Sequence, residues 1–167
     1  TLLQMATGLR VSEARTLMWD DIITDAQKRP ACIIRAENAK TGTTRVAALV
    51  EPAVYEHLIR RRDEVGGAYV VGSPLNPDTE WDRYNAQKAL KAFYKDLARD
   101  CGVPLLETYR THVWRTTLNT MYRTDVDALL RARTLGHSVD VNAQAYSDIS
   151  DLTTLYDAAR ARRREEK

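Results

Sequence analysis

The chain has 167 residues, of which 44% are hydrophobic and 29% are charged, and its formal net charge is +2. This length is enough for one domain with its own hydrophobic core, and the composition excludes an intrinsically disordered chain. The apolar runs are too short to span a bilayer, so we expect no membrane contact. The small positive charge permits a nucleic-acid partner without requiring one.

The cysteines indicate the redox environment. Cys32 and Cys101 lie far apart in the sequence and form no CxxC pair. This spacing argues against a zinc site and against a disulfide scaffold, and it suits a reducing cytoplasm.

The first residues predict two short helices separated by a turn. TLLQMAT is typical of the end of an apolar helix, and Gly8 suits the left-handed conformation that closes one. We expect Ser12 to cap a second helix over SEARTLMW, which would bury Ala14, Leu17 and either Met18 or Trp19.

A hairpin and a third helix are predicted next. Two β-rich runs, ACIIRAENA (31–39) and TTRVAALV (43–50), are joined through a turn that contains Lys40, which favours an antiparallel hairpin. Pro52 suits the first turn of a helix that continues to about Asp63. The run GGAYVVGSP then predicts a short strand followed by a polar loop.

Residues 83–100 predict an amphipathic helix with two distinct faces. Its apolar face would bury Ala86, Leu90, Phe93, Tyr94 and Leu97. Its basic face carries Lys88, Lys91, Lys95 and Arg99. This basic stripe fits either a DNA phosphate backbone or the solvated face that any amphipathic helix needs.

The rest of the chain predicts four more helices: about 111–123, about 125–135, about 140–147, and from about 151 onward. Gly136 would end the second, and Tyr146 would lie on the third. The fourth would bury Leu152, Leu155, Tyr156 and Ala159.

These elements predict a fold that is mainly α with a small three-stranded antiparallel β-sheet, forming a single domain over residues 1–167. The chain opens inside an apolar helix, without an initiator Met or a signal-peptide pattern. We therefore expect it to be a fragment of a longer protein.

The helix predicted from about residue 111 brings two groups suited to an anion onto one face. His112 and Arg115 are three residues apart in its first turn, where free N–H groups and the positive end of the helix dipole also favour an anion. The pair indicates a phosphate site, although such residues near helix ends are more often solvated.

The stretch LGHSVDVNAQAY places His137 nine residues before Tyr146. On one straight helix these side chains would point in opposite directions. Gly136 breaks the helix and Asp140 can cap a new one, so imidazole and phenol could converge on one pocket. The alternative is that Tyr146 packs on Leu152 and His137 merely ends a helix.

Four segments, TGLRVSEARTLMWDDI, KTGTTRVAAL, THVWRTTLNT and LGHSVDVNAQAY, occur in this order along the chain. Together they resemble the four boxes of the catalytic domain of the tyrosine recombinase (phage integrase) family. The resemblance implies the DNA breaking-rejoining catalytic fold, and it covers nearly the whole chain. It favours the catalytic interpretation of Tyr146 over the packing one.

The resemblance implies cationic groups for a scissile phosphate. Arg10 and Arg115 would bind its non-bridging oxygens, since guanidinium groups bind phosphate bidentately. Lys40 would be the general acid that protonates the leaving 5′ oxygen. Glu13 matches the family's acidic position, where we expect a supporting role.

The resemblance also implies the nucleophile and its neighbours. Tyr146 would attack phosphorus to form a 3′-phosphotyrosyl link, while His112 and His137 would hydrogen-bond the phosphate and help to move the phenol proton. Ionising a free tyrosine at pH 7 costs about 4 kcal/mol, which nearby cations would offset. The sequence has no GxxxxGK loop and no carboxylate cluster, so we expect no cofactor, metal or ATP.

The partners implied are double-stranded DNA with a specific recombination site and three further copies of the chain. The last helix would dock in trans within such a homotetramer, and a DNA-bending or excision factor could assist. Relatives carry core-binding and arm-binding domains ahead of this one. The implied origin is a bacterium or phage, and the implied location the cytoplasm.

The function that the resemblance implies is that of a site-specific DNA recombinase, namely an integrase of a phage or other mobile element. Four alternatives remain open at this point: a chromosome-dimer-resolving recombinase, a type IB topoisomerase, a catalytically inactive DNA-binding module of the same fold, and a helical domain in which these residues only pack.

Overall fold

A computed structural model of the protein describes residues 1–137. The helices are α1 (Leu2–Thr7), α2 (Val11–Arg15), α3 (Pro52–Val65), α4 (Arg83–Cys101), α5 (Leu105–Tyr109), α6 (His112–Met121) and α7 (Ala128–Leu135). The strands are β1 (Ile22–Thr24), β2 (Pro30–Ile34) and β3 (Arg45–Ala48). The predicted fold class, mainly α with a three-stranded antiparallel sheet, is confirmed over this part of the chain.

The start of α2 differs from the prediction. Arg10, and not Ser12, is the N-cap, with extended backbone angles of φ −68° and ψ 158°. The reason is Glu13, whose carboxylate accepts the Arg10 backbone N–H at 2.7 Å and so stabilises the first turn from inside.

The end of α2 also comes earlier than predicted. The helix stops at Arg15, because the chain then turns to pair with a later segment. The Leu17 carbonyl accepts the Val70 N–H at 2.9 Å, and Met18 bridges to Tyr69. Leu17 is nevertheless buried, as predicted.

The three strands form one antiparallel sheet in the order β1-β2-β3. The predicted hairpin is confirmed as β2 and β3, with Cys32 opposite Ala47. The third strand is β1, whereas GGAYVVGSP forms only isolated bridges. The backbone of that segment folds closely over Pro77, which a Cβ on Gly67 or Gly72 would approach to 2.5–2.6 Å.

Two hydrophobic clusters hold the helices in place. The larger one joins α1, α2, the sheet and α3 through residues such as Leu3, Leu17 and Ile34. The smaller one joins α4, α5 and α6 through Tyr94, Ala98 and Leu106.

Two aromatic side chains differ in their relation to the smaller cluster: Trp114 packs against it, whereas Phe93 is exposed. The Trp114 indole Nε1 donates to the Tyr94 hydroxyl at 2.5 Å, which ties α6 to α4. Phe93 was predicted to be buried but is 45% exposed, and the buried residues of α4 are Ala86, Tyr94 and Ala98.

No helix within residues 1–137 is long and apolar enough to cross a membrane.

Gly8 is where α1 approaches α6 and α7. Its φ of 67° is left-handed, as predicted, and its amide bonds back to the Gln4 carbonyl. A Cβ at this position would lie 2.6 Å from Leu135 Cδ2 and 3.8 Å from the Arg115 Cα. The absence of a side chain therefore brings the loop before Arg10 close to the helices that carry the other candidate site residues.

Gly8→Ala is expected to lower the free energy of unfolding by about 2–4 kcal/mol, because left-handed strain adds to overpacking against Leu135. Gly42→Ala is the matched control, since Gly42 has a φ of 64° but no atom within 4 Å of the added Cβ. It should cost only the strain, about 1–2 kcal/mol. Urea unfolding of both variants measures the difference, and equal losses would contradict close packing at Gly8.

Candidate active site

A buried carboxylate lies at the centre of the candidate site. The Glu13 side chain is completely shielded from solvent. Its Oε2 accepts the Arg10 backbone N–H at 2.7 Å, Arg45 Nη2 at 2.7 Å and Arg115 Nη2 at 3.4 Å. Its Oε1 accepts Arg10 Nη1 at 3.1 Å. Glu13 therefore brings together three arginines, from the N-cap of α2, from β3 and from α6.

The same three arginines bind the C-terminal end of α7. Arg45 donates to the Thr134 carbonyl, Arg115 to the Leu135 carbonyl, and Arg10 to the Gly136 carbonyl at 3.0 Å. Carbonyls at a helix C-terminus lack partners within the helix and carry partial negative charge, so cations are favoured there.

Gly136 makes this arrangement of carbonyls possible. It adopts a left-handed φ of 67°, the Gly136 N–H bonds to the Arg133 carbonyl, and the His137 N–H bonds to the Ala132 carbonyl at 2.8 Å. This is a Schellman closure, and it ends the helix at the residue predicted from sequence. The turn places His137 beside Arg115.

Arg115 lies in the first turn of α6 and is only 2% exposed. Its burial, together with the charges of Arg10 and Arg45, lowers the pKa of the Arg115 guanidinium to about 10, while Glu13 acts in the opposite direction. Arg115 is therefore protonated at neutral pH.

His137 is held in one tautomer by Arg115. Its Nε2 lies 3.1 Å from Arg115 Nη1, and a guanidinium can only donate, so Nε2 accepts and Nδ1 carries the proton. That Nδ1 is buried and has no partner within residues 1–137. Burial first, and then the charges of Arg115 and Arg10, lower the pKa of His137 to about 4, so it is neutral at pH 7.

His112 begins α6 on the face that carries Arg115, as predicted, and it is exposed. Partial burial and the charges of Arg115 and Arg10 lower the pKa of His112. The imidazole is thus neutral, and its ring is open to a ligand.

The pKa of Glu13 is set by opposing effects. Burial alone would raise it, but the hydrogen bond from the Arg10 backbone and the charges of Arg45 and Arg115 outweigh burial and leave the pKa below its usual value. Glu13 is therefore ionised. With three arginines and one carboxylate, the cluster carries a charge of +2, which favours an anionic ligand.

Lys40 is the next candidate from the sequence. It is exposed in the turn between β2 and β3, where Gly42 N–H bonds to the Ala39 carbonyl. The role expected for Lys40 stays a prediction. Tyr146, Asp140 and the helices expected around 140–147 and from 151 lie outside the described residues.

The basic stripe on α4 is partly as expected. Lys88, Lys91 and Lys95 are exposed. Arg99 instead pairs with two carboxylates of its own helix, Asp96 at 3.1 Å and Asp100 at 2.9 Å. This pairing reduces its suitability as a phosphate contact.

Arg45 was not recognised as a site residue from the sequence. It lies in the segment KTGTTRVAAL, and its side chain is only 8% exposed. The alternation of side chains along a strand could have identified it. Arg45 lies on the same side of the strand as the buried Ala47 and Leu49, while Val46 and Ala48 are exposed. An arginine on the inner face of a strand requires a buried partner, which is Glu13.

Within residues 1–137, no group of three or more histidine, cysteine or acidic side chains is arranged to hold a metal ion. The arrangement is suited to binding an anion through guanidinium groups, with two neutral imidazoles beside it.

Comparisons with known proteins give a family match and structural matches. A family model described as the phage integrase family matches residues 1–152. The pre-cleavage complex of the XerH site-specific recombinase with its difH substrate has a TM-score of 0.61 and 17% identity, covering 85% of this chain and 40% of that one. The XerH post-cleavage complex with palindromic difH has a TM-score of 0.64 and 18% identity, covering 95% and 43%.

The chain therefore spans less than half the length of these recombinase chains, and at such identities the likeness shows the fold. A comparison with curated protein sequences gave no match.

Acidification is expected to destabilise the fold through His137. Its pKa is below the ordinary value, so the unfolded chain binds the proton more readily. The free energy of unfolding should fall as pH decreases from about 6.5 to about 4. The depressed pKa of Glu13 adds a loss of the same sign at the acidic end.

His137→Gln should flatten the part of this dependence that lies above pH 5, measured by urea unfolding between pH 7.5 and 4. His57→Gln, on the exposed surface of α3, is the control and should retain the wild-type slope. A wild-type slope in His137→Gln would mean that His137 is not held neutral in the folded state.

Proposed function

The chain belongs to the phage integrase family, and on this basis we propose that it is the catalytic domain of a site-specific DNA recombinase. It cleaves and rejoins DNA through a 3′-phosphotyrosyl link to Tyr146. The observation that carries the proposal is the cluster in which Glu13 and the end of α7 hold three arginines beside His137.

Arg10 and Arg115 bind the scissile phosphate. Their positions are fixed before DNA arrives, because each guanidinium already donates hydrogen bonds to Glu13 and to a carbonyl at the end of α7. Fixed cations stabilise the charge of the five-coordinate state without reorganising during the reaction. The Arg10 side chain is 24% exposed, which leaves N–H groups accessible to a ligand.

The two histidines have different roles. The tautomer of His137 leaves its Nδ1–H as a donor to a phosphate oxygen. His112 is neutral and exposed, so it can accept the phenol proton of Tyr146.

The chemical step needs no external energy. The Tyr146 oxygen bonds to phosphorus, the bond from phosphorus to the 5′ oxygen breaks, and Lys40 gives a proton to that oxygen. The reverse attack by a 5′ hydroxyl restores the phosphodiester and releases Tyr146. Neither ATP nor a metal takes part.

The assembly belongs to the same proposal. The partner is double-stranded DNA with a recombination site, bound in the cytoplasm by a homotetramer in which the last helix docks in trans. A DNA-bending or excision factor assists. The exposed lysines of α4, Lys88, Lys91 and Lys95, contact the phosphate backbone, with Arg99 contributing less because of its acidic partners.

The alternative is a DNA-binding module of the same fold that has lost catalysis. It requires no preorganised site, whereas the buried Glu13 with its arginines keeps positive charge fixed next to two neutral imidazoles. That arrangement favours the enzyme.

Tyr146→Phe is expected to abolish covalent trapping of DNA. The full-length protein is mixed with a library of nicked duplexes and quenched with detergent, and adducts are separated on a denaturing gel. Wild type should form an adduct whose DNA identifies the site, while Tyr146→Phe binds the same DNA without an adduct. Tyr122→Phe is the matched control, since Tyr122 follows α6 outside the cluster.

Lys40→Ala provides a check on the general acid in that assay. It should slow adduct formation on DNA with a 5′ oxygen leaving group but react normally when sulfur replaces that oxygen. A thiol has a pKa of about 8.5 and leaves without protonation. If wild type binds the library tightly and forms no adduct, the DNA-binding module replaces the enzyme.

Changing Lys88, Lys91 and Lys95 together to Gln is expected to weaken DNA binding mainly at low salt. Each phosphate contact contributes about 0.9 to the slope of log affinity against log salt, so the slope should fall by about 2–3. Fluorescence anisotropy measured from about 50 to about 300 mM salt tests this, because such slopes are measurable in that range. Arg60, Arg61 and Arg62 changed to Gln on α3 serve as control, and equal losses in both variants would contradict a specific stripe.

A further inference from the structure

Arg45 is buried in the candidate site without being one of the groups assigned to the phosphate. Its guanidinium spans two partners, donating from Nη2 to Glu13 at 2.7 Å and from Nη1 to the Thr134 carbonyl. It also packs on Gly136, where a Cβ would approach Arg45 Nε to 2.6 Å. Both terminal nitrogens therefore make bonds within the protein, while the buried Nε has no partner within residues 1–137.

Arg45 competes with Arg115 for the same carboxylate oxygen. Glu13 Oε2 lies 2.7 Å from Arg45 Nη2 but 3.4 Å from Arg115 Nη2, and the shorter contact is the stronger one. Because Arg45 and the Arg10 backbone N–H both donate to Oε2 at 2.7 Å, Arg115 is only weakly engaged by Glu13.

The charge of the cluster depends on Arg45 as well. Arg10, Arg45 and Arg115 against Glu13 give three positive charges and one negative charge. Without Arg45, the Glu13 carboxylate would be neutralised by Arg10 and Arg115 themselves. The charge left for an anion would fall from +2 to +1.

We infer that Arg45 is a positioning residue: it is a counter-ion of Glu13 that takes no part in phosphate binding, and it thereby weakens the hold of Glu13 on Arg115, which binds the scissile phosphate. Its second bond, to Thr134, joins the strand that follows Lys40 to the helix end that precedes His137. This inference rests on the proposed function, since it names what Arg45 does within that site.

Adding Glu13→Gln to an Arg45 variant distinguishes this role from simple packing, because it should partly restore the rate that the Arg45 change lowers. Arg45→Met should slow adduct formation on the trapped DNA by about ten- to hundredfold, the range typical of residues that orient the ligands of a site. In Arg45→Met with Glu13→Gln, no carboxylate remains to recruit Arg115, so the double variant should react faster than Arg45→Met alone. A packing role would leave the double variant at least as slow.

Arg35→Met is the matched control. Arg35 also pairs with a buried carboxylate, donating from Nε to Asp21 at 2.8 Å, but lies outside the cluster. It should leave the rate near that of wild type. Circular dichroism and urea unfolding verify folding; if Arg45→Met does not fold, Arg45→Gln replaces it, because its amide can still donate to Thr134.

A second measurement does not depend on catalysis. Titration of the full-length protein with inorganic phosphate, followed by NMR of the arginine Nε–Hε resonances, should give weaker binding in Arg45→Met and recovery in the double variant. If wild type forms no adduct, the proposed function fails and the phosphate titration alone decides the role of Arg45. Equal phosphate affinity in wild type and Arg45→Met, or no recovery with Glu13→Gln, would overturn the inference.

Discussion

The structure of the candidate site depends on one buried carboxylate. Glu13 is fully shielded from solvent and stays ionised because Arg10, Arg45 and Arg115 surround it. Burying an unpaired charge costs several kcal/mol, and removing one partner of a buried ion pair typically costs about 3–5 kcal/mol. The α2 N-terminus, strand β3 and the first turn of α6 are therefore constrained to meet at one point, which gives the domain a rigid cationic centre.

The C-terminal end of α7 holds the same three arginines as Glu13. Three consecutive carbonyls, from Thr134 to Gly136, each accept a hydrogen bond from a different arginine. In each guanidinium, the carboxylate accepts from one terminal nitrogen and the helix end from the other, which restricts rotation of these groups. Such preorganisation matters for phosphoryl transfer because cations that are already fixed need not reorganise as charge develops on the phosphate. The same helix end fixes the tautomer of His137 through Arg115.

Sequence patterns predicted much of the fold but not its details. The hairpin and the left-handed glycines, Gly8 and Gly136, are local features, and the structure confirms them. The N-cap of α2 was wrong because the Glu13 side chain, held by distant arginines, outcompetes a favoured capping residue such as Ser12. The strand predicted for GGAYVVGSP was wrong because this segment has strand composition yet folds over Pro77 and forms only isolated bridges.

The sequence by itself determined which chemical groups are available, because residue type and helical or strand period are properties of neighbouring positions. The resemblance of its segments to a known family then identified Arg10, Glu13, His112, Arg115 and His137 as candidates. Only the tertiary structure decided that Glu13 joins them, that His137 is neutral with a defined tautomer, and that Arg45 belongs to the cluster. These properties arise from burial and charge contributed by elements more than a hundred residues apart, since Glu13 and Arg115 are separated by 102 positions and Arg10 and Gly136 by 126.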